Sequence, residues 1–378
     1  MLSFGRPELK TPQKGRGQLR SGMVRHAQRE KNMQKLFAAL LGATMLAGTS
    51  QMALAKGKTI AVSWMVFQEE RWKTDEAAIK AVVEAAGDKY ISADAQQSAQ
   101  KQLADIEGFI SQKADVIIIV PFDADAVLPA VKKANEEGIP LISYDVQIED
   151  PSALYITFDN VGVGRLMAKE ILKAKPEGNY AFIKGDKANP NSHFLFKGIM
   201  EVIGPEIESG KIKNVCETFT DGWKPDGAQK NMEQCLTSVG NKVDAVVSEN
   251  DGMAGGVVAA LTAQGLVGTV PVSGQDGDKS ALNRVALGTQ TVSIWKDVRQ
   301  LGKVAGEAAV MIADGKKFKE IPNVATFDKG AKGIAVDSIL LPPTPITKDN
   351  LDVALAGNVL TKDELCAGVS AGAVAACK

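Results

Sequence analysis

Short β-branched runs alternate with longer amphipathic stretches along most of the chain, and this alternation limits the fold more than any other feature. Thr59–Met65, Val116–Pro121, Pro140–Asp145 and Leu154–Asp159 have the length and the Val/Ile content of strands. Between them, Arg71–Ala86, Gln97–Lys113 and Ala124–Glu137 have helical patterns that end near glycine or a charged turn. Strand, helix, strand at this spacing predicts a parallel sheet with helices on both faces. Continuous apolar runs such as Val116–Pro121 suit strands buried on both sides.

The pattern restarts after Ala174. Asn179–Gly185, Ile212–Phe219, Ala245–Ser248, Val270–Gly274 and Thr291–Trp295 are the next predicted strands, with helices at Phe194–Glu208, Pro225–Val239, Met253–Gln264 and Val298–Asp314. The fold class is therefore α/β, with two doubly wound, Rossmann-like lobes of ordinary domain size. No long Pro- or Ser-rich linker parts them, so the chain is expected to cross between lobes more than once, making a stiff hinge. From Asp337 the tail carries a last strand, a Leu341-Pro342-Pro343 stop and short helices.

Ahead of the first lobe, residues 33–55 combine a lysine, an apolar run from Leu36 to about Ala47 and the A-x-A triplet Ala53-Leu54-Ala55. That order predicts a signal peptide cleaved after about Ala55, because the run is shorter than the roughly 20 residues of a membrane span. Residues 1–32 are basic and unpatterned. An extended n-region and a nucleic-acid-binding arm are alternatives, but Met33 is the favoured start. Export to the periplasm follows, with a leader over 1–55. A formal charge of -1 gives no reason to expect nucleic acid as a partner. The four cysteines, Cys216, Cys235, Cys366 and Cys377, then lie in an oxidising compartment. Two local disulfides, Cys216–Cys235 and Cys366–Cys377, are the expectation, with four free thiols as the alternative.

Catalytic motifs fail one by one. Gly368-Val369-Ser370-Ala371-Gly372 matches a nucleophile elbow, yet neither an acid nor a histidine follows it. Gly162-Val163-Gly164 imitates a dinucleotide fingerprint, but Met167 stands where Gly or Ala is required, so an ordinary helix start capped by Asp159 or Asn160 is preferred. Asp276, Asp278 and Ser280 resemble the start of a calcium loop, with Ala281 and Leu287 at the wrong positions. Gly57-Lys58-Thr59 lacks the upstream glycine of a phosphate loop. Only two histidines, His26 and His193, are present. No enzyme, metal site or cofactor is expected.

Ligands of open α/β sheets bind outside the carboxyl ends of the strands. Those ends here carry Glu69, Glu70, Arg71 and Trp72, then Asp145, then Asp221, Gly222 and Trp223, then Asn250 and Asp251, then Gln275 and Asp276, and last Lys296. Each hydroxyl of a sugar donates and accepts, so carboxylates and cationic or amide donors can bracket it. Trp72 and Trp223 could cover its apolar face. Hydrogen bonds to charged groups give about 1.5–3 kcal/mol each, so four or five supply about 6–15 kcal/mol, enough to reach the roughly 8 kcal/mol of micromolar binding before ordering costs.

From about Lys58 to Pro345 the chain resembles the periplasmic xylose-binding proteins of the ribose-binding-like superfamily. The resemblance rests on Glu70-Arg71-Trp72, Ile142-Ser143-Tyr144-Asp145, Ile156-Thr157-Phe158-Asp159-Asn160, Asp221-Gly222-Trp223, Asn250-Asp251, Ser273-Gly274-Gln275-Asp276 and Gly288-Thr289-Gln290-Thr291, in that order. It implies a type I periplasmic binding protein: two lobes joined by three crossovers, capturing one aldose monosaccharide for the permease of an ABC transporter and acting as a monomer. The first lobe would hold 56–161 with about 297–325, the second 162–296 with about 326–378. Positions matching Arg71, Trp223, Asn250, Asp276 and Lys296 contact sugar in that family, Trp72 and Asp145 share the pocket, and Asn191 is counted with them.

Three departures bear on specificity. Val146 replaces an arginine usual after the aspartate, Phe196 replaces another (with Lys197 beside it), and Gln68 replaces a basic residue while Glu69 adds a carboxylate. They predict a sugar other than xylose: a hexose, or an amino sugar such as glucosamine. A sugar sensor feeding a chemotaxis or two-component receptor is the competing reading, and a secreted carbohydrate-active enzyme a weaker one. A sugar-responsive transcription regulator would need a helix-turn-helix before the first lobe, which residues 1–57 do not offer.

Overall fold

The computed structural model describes residues 57–67 and 69–378; the leader, its cleavage motif and Gln68 lie outside the described residues. In chain order the first lobe contains β1 (Thr59–Trp64), α1 (Glu70–Ala85), β2 (Lys89–Asp94), α2 (Ala99–Ser111), β3 (Val116–Ile119), α3 (Leu128–Glu136), β4 (Leu141–Tyr144) and β5 (Ala153–Phe158). The second contains α4 (Asn160–Ala174), β6 (Gly178–Lys184), α5 (Pro190–Glu208), β7 (Ile212–Phe219), α6 (Pro225–Ser238), β8 (Ala245–Ser248), α7 (Asp251–Ala263), β9 (Ser273–Asp276), α8 (Lys279–Leu287) and β10 (Val292–Trp295). The chain then returns through α9 (Val298–Ala313), β11 (Ala325–Phe327) and β12 (Val336–Leu341), and leaves again for β13 (Thr344–Ile346), α10 (Asp352–Ala356) and α11 (Lys362–Cys366).

The first-lobe sheet has the order β11-β12-β5-β4-β3-β1-β2. All of its pairings are parallel except β11 with β12. Side chains alternate across it, as the two-residue period of a strand requires. Ile60, Val62 and Trp64 pack with Leu301 and Ala305 of α9, while Ala61 faces Ile106 and Phe109 of α2. In the second lobe β7-β6-β8 and β13-β10-β9 form two strips. A parallel bridge between Val246 and Val272 links them into one surface.

One boundary differs from the sequence expectation. Residues from about 326 were assigned to the second lobe, but β12 pairs in parallel with β5 and β11 pairs with β12, so the first lobe extends to Leu341. The free edge of β5 supplies the partner that β12 needs. The crossover is the Pro342-Pro343 pair, which cannot donate to a ladder. The other two crossovers are Asp159, between β5 and α4, and Lys296-Asp297, between β10 and α9.

The glycines of Gly162-Val163-Gly164 have a packing role. A Cβ on Gly164 would lie 2.0 Å from the Leu195 carbonyl, and one on Gly198 would lie 2.0 Å from that of Val161. Reciprocal glycines thus let α4 and α5 meet backbone to backbone, while Asp159 caps α4 through Gly162 N–H at 2.8 Å. Disulfides join Cys216 to Cys235 and Cys366 to Cys377, with Cα separations of 5.9 and 5.6 Å. The first ties β7 to α6; the second fastens the tail behind α11.

Candidate functional site

The carboxyl ends of strands from both lobes converge on one pocket with about 320 Å³ of empty space. Arg71 and Trp72 enter from the first turn of α1, Asp145 and Val146 from the end of β4, and Lys296 from the crossover that follows β10. Asn191, Trp223, Asn250 and Asp276 come from the second lobe, and Glu69 sits just ahead of α1. All eight residues expected to bind ligand therefore line one space, together with Glu69 and Val146.

Phe196 does not, which corrects its assignment as a specificity residue. Its ring meets Phe182 edge-on at 5.8 Å, and Lys184 Nζ lies 4.3 Å from the ring centroid. On α5 it falls on the face turned to the second-lobe core, five residues past Asn191.

Arg71 organises the charges. Its Nη1 lies 2.9 Å from Asp145 and 3.3 Å from Asp276, its Nη2 lies 3.4 Å from Asp75, and its Cζ stacks 4.3 Å over the Trp72 ring. The contact with Asp276 joins the two lobes. Lys296 Nζ reaches the same Asp276 oxygen at 2.8 Å. Burial favours loss of the Arg71 proton, but Asp145, Asp75 and Asp276 outweigh it and drive the guanidinium pKa well up. Burial likewise raises Asp145, yet Arg71 and Lys296 reverse the effect and hold it below the ordinary carboxylate value. Burial pushes Asp75 up to about 6, against the pull of Arg71 and of the Tyr144 hydroxyl that it accepts. Glu69 rises to about 8, through burial and then the negative charge of Asp276.

Backbone geometry aims these groups. Asp145, Trp223 and Asp276 have φ of 61°, 56° and 102°, uncommon for residues with side chains and sustained only where the surroundings fix them. For Asp145 the fixing groups are Thr157 Oγ1 and Asn191 Nδ2, which donate to its carbonyl at 2.9 and 3.2 Å. Asn191 in turn accepts from Asn160 at 3.0 Å, so its amide clasps the lobes as well as lining the pocket. For Asp276, the carboxylate of Asp251 accepts the next two backbone N–H groups at 3.0 and 3.1 Å, and Ser293 Oγ at 2.6 Å. Trp223 lies flat on Gly185, where a Cβ would fall 2.1 Å from the ring. Beneath that glycine, buried Glu249 accepts Gly185 N–H and Ser192 Oγ, both at 2.7 Å, and burial pushes it up to about 8.

The indole N–H groups of Trp72 and Trp223 and the carbonyl oxygen of the Gln275 side chain are buried without a protein partner, and all three residues line the pocket. Donors, an acceptor, paired charges and two aromatic faces thus surround one small space. Sequence reasoning left Met65, Asn189 and Gln275 out of the site. Gln275 was legible as the neighbour of Asp276, and Asn189 as the cap before Pro190; Met65 carries no signal beyond ending β1. Among the described residues no group of three or more His, Cys, Asp or Glu could hold a metal ion, and no helix is long and apolar enough to cross a membrane.

Two lobes with three crossovers and a polar pocket between them define a binding protein of the two-lobed periplasmic type. The sequence profile of the periplasmic binding protein domain matches residues 60–317. The chain is 38% identical over 309 residues to the D-xylose-binding periplasmic protein of Escherichia coli K12, covering 82% of this chain and 92% of that one. A multiple sugar-binding periplasmic receptor of Rhizobium radiobacter is 29% identical over 350 residues, covering 87% and 97%. Among solved structures, an ABC transporter solute-binding protein from Clostridium phytofermentans with bound β-D-glucose superposes with a TM-score of 0.74 at 26% identity, over 82% of this chain and 100% of that one. This chain belongs to the family of the D-xylose-binding periplasmic proteins.

Proposed function

We propose that the protein captures one neutral aldose monosaccharide between its lobes in the periplasm and delivers it intact to the permease of an ABC importer. The observation that carries this reading is the ring Arg71, Asp145, Asp276 and Lys296, enclosed by the unpartnered indole N–H groups of Trp72 and Trp223. Asp145, which Arg71 and Lys296 hold in its charged form, stands with Asp276 against those two cations, and Glu69, pushed up to about 8, adds a neutral hydroxyl donor at pH 7. A balanced wall suits an uncharged polyol better than an amino sugar. The sugars bound by relatives, among them xylose and glucose, support the same class.

Val146 and Glu69 are the departures that still bear on the pocket. Val146 puts an apolar surface where an arginine is usual, which favours a hexose over xylose. An amino sugar has one observation in its favour: an ammonium beside Glu69 would restore its ionised form. Calorimetry with D-xylose, D-glucose and D-glucosamine tests both points. Glucose tighter than xylose, with glucosamine weakest, is expected; glucosamine binding tightest overturns the neutral reading. Mass spectrometry of the recovered ligand addresses delivery intact, since any converted product speaks for an enzyme instead.

A further inference from the structure

We propose that a second interlobe cavity, beside the first pocket, binds a small organic acid with an apolar body. The cavity has about 930 Å³ of empty space and is lined by Gln147, Lys329 and Lys332 of the first lobe and by Lys187, Phe194 and Lys197 of the second. Its apolar lining comes from Ala124, Ala188, Pro190, Phe194 and Ala331, and Phe194 seats edge-on against Phe327 of β11 at 5.6 Å, joining the lobes. Gln147, also in the lining and only 2% exposed, holds an amide Nε2 with no hydrogen-bond partner.

The rim is basic, and its acids are already engaged. Asp125 pairs with Lys332 Nζ at 2.7 Å, and Glu149 accepts the backbone N–H groups of Lys332 and Ile334 at 2.8 and 3.0 Å. Lys329 pairs with its neighbour Asp328 at 2.7 Å. Lys187 and Lys197 have no ion pair within 4.0 Å among the described residues. An anion held here would pair with Lys187 and Lys197 of the second lobe while Gln147 of the first donates its amide to it. The apolar surface and the buried amide favour an organic carboxylate over a bare inorganic ion, which has no use for Phe194.

The same two segments wall both spaces. Asp145 and Val146 line the first pocket while Gln147 and Glu149 line the second, and on α5 Asn191 faces the first while His193 and Phe194 face the second. An occupant of the second cavity bridges the lobes in the arrangement that the first pocket requires. It should therefore tighten the first ligand and be tightened by it equally; this coupling alone rests on the sugar reading.

The probe is phthalate, titrated calorimetrically into the purified protein at low salt, with inorganic phosphate in a parallel arm. Saturable 1:1 binding is expected, tighter for phthalate than for phosphate by at least about tenfold. Lys187→Glu/Lys197→Glu and Gln147→Leu should each weaken it by about tenfold or more, whereas Trp223→Ala should leave it intact. Absence of saturation at millimolar phthalate, equal affinity for phosphate, or unchanged affinity in the lysine pair each overturns the proposal. The lysines are exposed, so that variant keeps the test valid if Gln147→Leu melts early. No sugar is present in this titration, so failure of the sugar reading would leave its outcome readable.

Discussion

A single indole carries much of the proposed recognition. Trp223 is held at positive φ, buried to 7% exposure, and laid on Gly185, so its face is fixed before any ligand arrives. Trp223→Ala should weaken the sugar by about ten- to hundredfold and, because the indole also packs in the second-lobe core, lower the melting temperature while the protein stays folded at 25 °C. Calorimetry and a thermal melt on one sample separate the two effects. Arg71 differs, because its removal leaves Asp75, Asp145 and Asp276 buried around an empty centre; Arg71→Met should cost about 3–5 kcal/mol of stability and abolish binding. Glu69 sets the pH dependence. Its carboxyl rises from the ordinary 4.5 to about 8, so the protonated form stabilises the closed site; that contribution is complete at low pH and fades as pH rises through about 8. Affinity should therefore fall from about pH 4.5 to about pH 8 and level off above it, and Glu69→Gln should flatten the fall. Glu249 is raised to about 8 as well, so Glu69→Gln should keep part of the loss of thermal stability over that window while its affinity stays level.

Elements were legible where periodicity and burial agree, and blurred where polar residues are buried or apolar ones are not needed. β1, β3 to β8 and β10 lie within a few residues of expectation, most of them because apolar runs sit between covering helices; β7 is a half-exposed edge strand. β2 was missed: Lys89–Asp94 is an edge strand with alternating half-exposure and little apolar content. β9 was shifted, since its four residues Ser273–Asp276 are polar yet all buried by the site they build. α5 begins at Pro190 rather than Phe194, because Asn189 accepts Asn191 N–H at 3.0 Å and proline occupies the first turn. The pocket itself was readable from strand ends, whereas side-chain direction was not, which is why Phe196 misled. At this scale the Cys216–Cys235 link between β7 and α6 invites a test. Its double replacement by alanine should cost about 2–4 kcal/mol, seen as a lower melting temperature without loss of sugar affinity.

Across the whole molecule, the lobes touch through Arg71–Asp276, Asn191–Asp145 and Phe194–Phe327, while three short crossovers hold them in register. A sugar that bonds to both lobes adds contacts available only when they are together, so it shifts the population toward that arrangement. Small-angle scattering should show the radius of gyration contracting on sugar addition for wild type and staying constant for Arg71→Met. The four tryptophans have a further consequence. Trp72 and Trp223 line the pocket, Trp64 lies 6.1 Å from Trp72, and Trp295 borders an adjoining cavity that shares Arg71, Asp276 and Lys296 with the site. Every strong fluorophore of the chain thus senses one small volume. Occupancy becomes an optical signal of the unlabelled protein, and a nutrient's arrival can be followed in real time by emission alone.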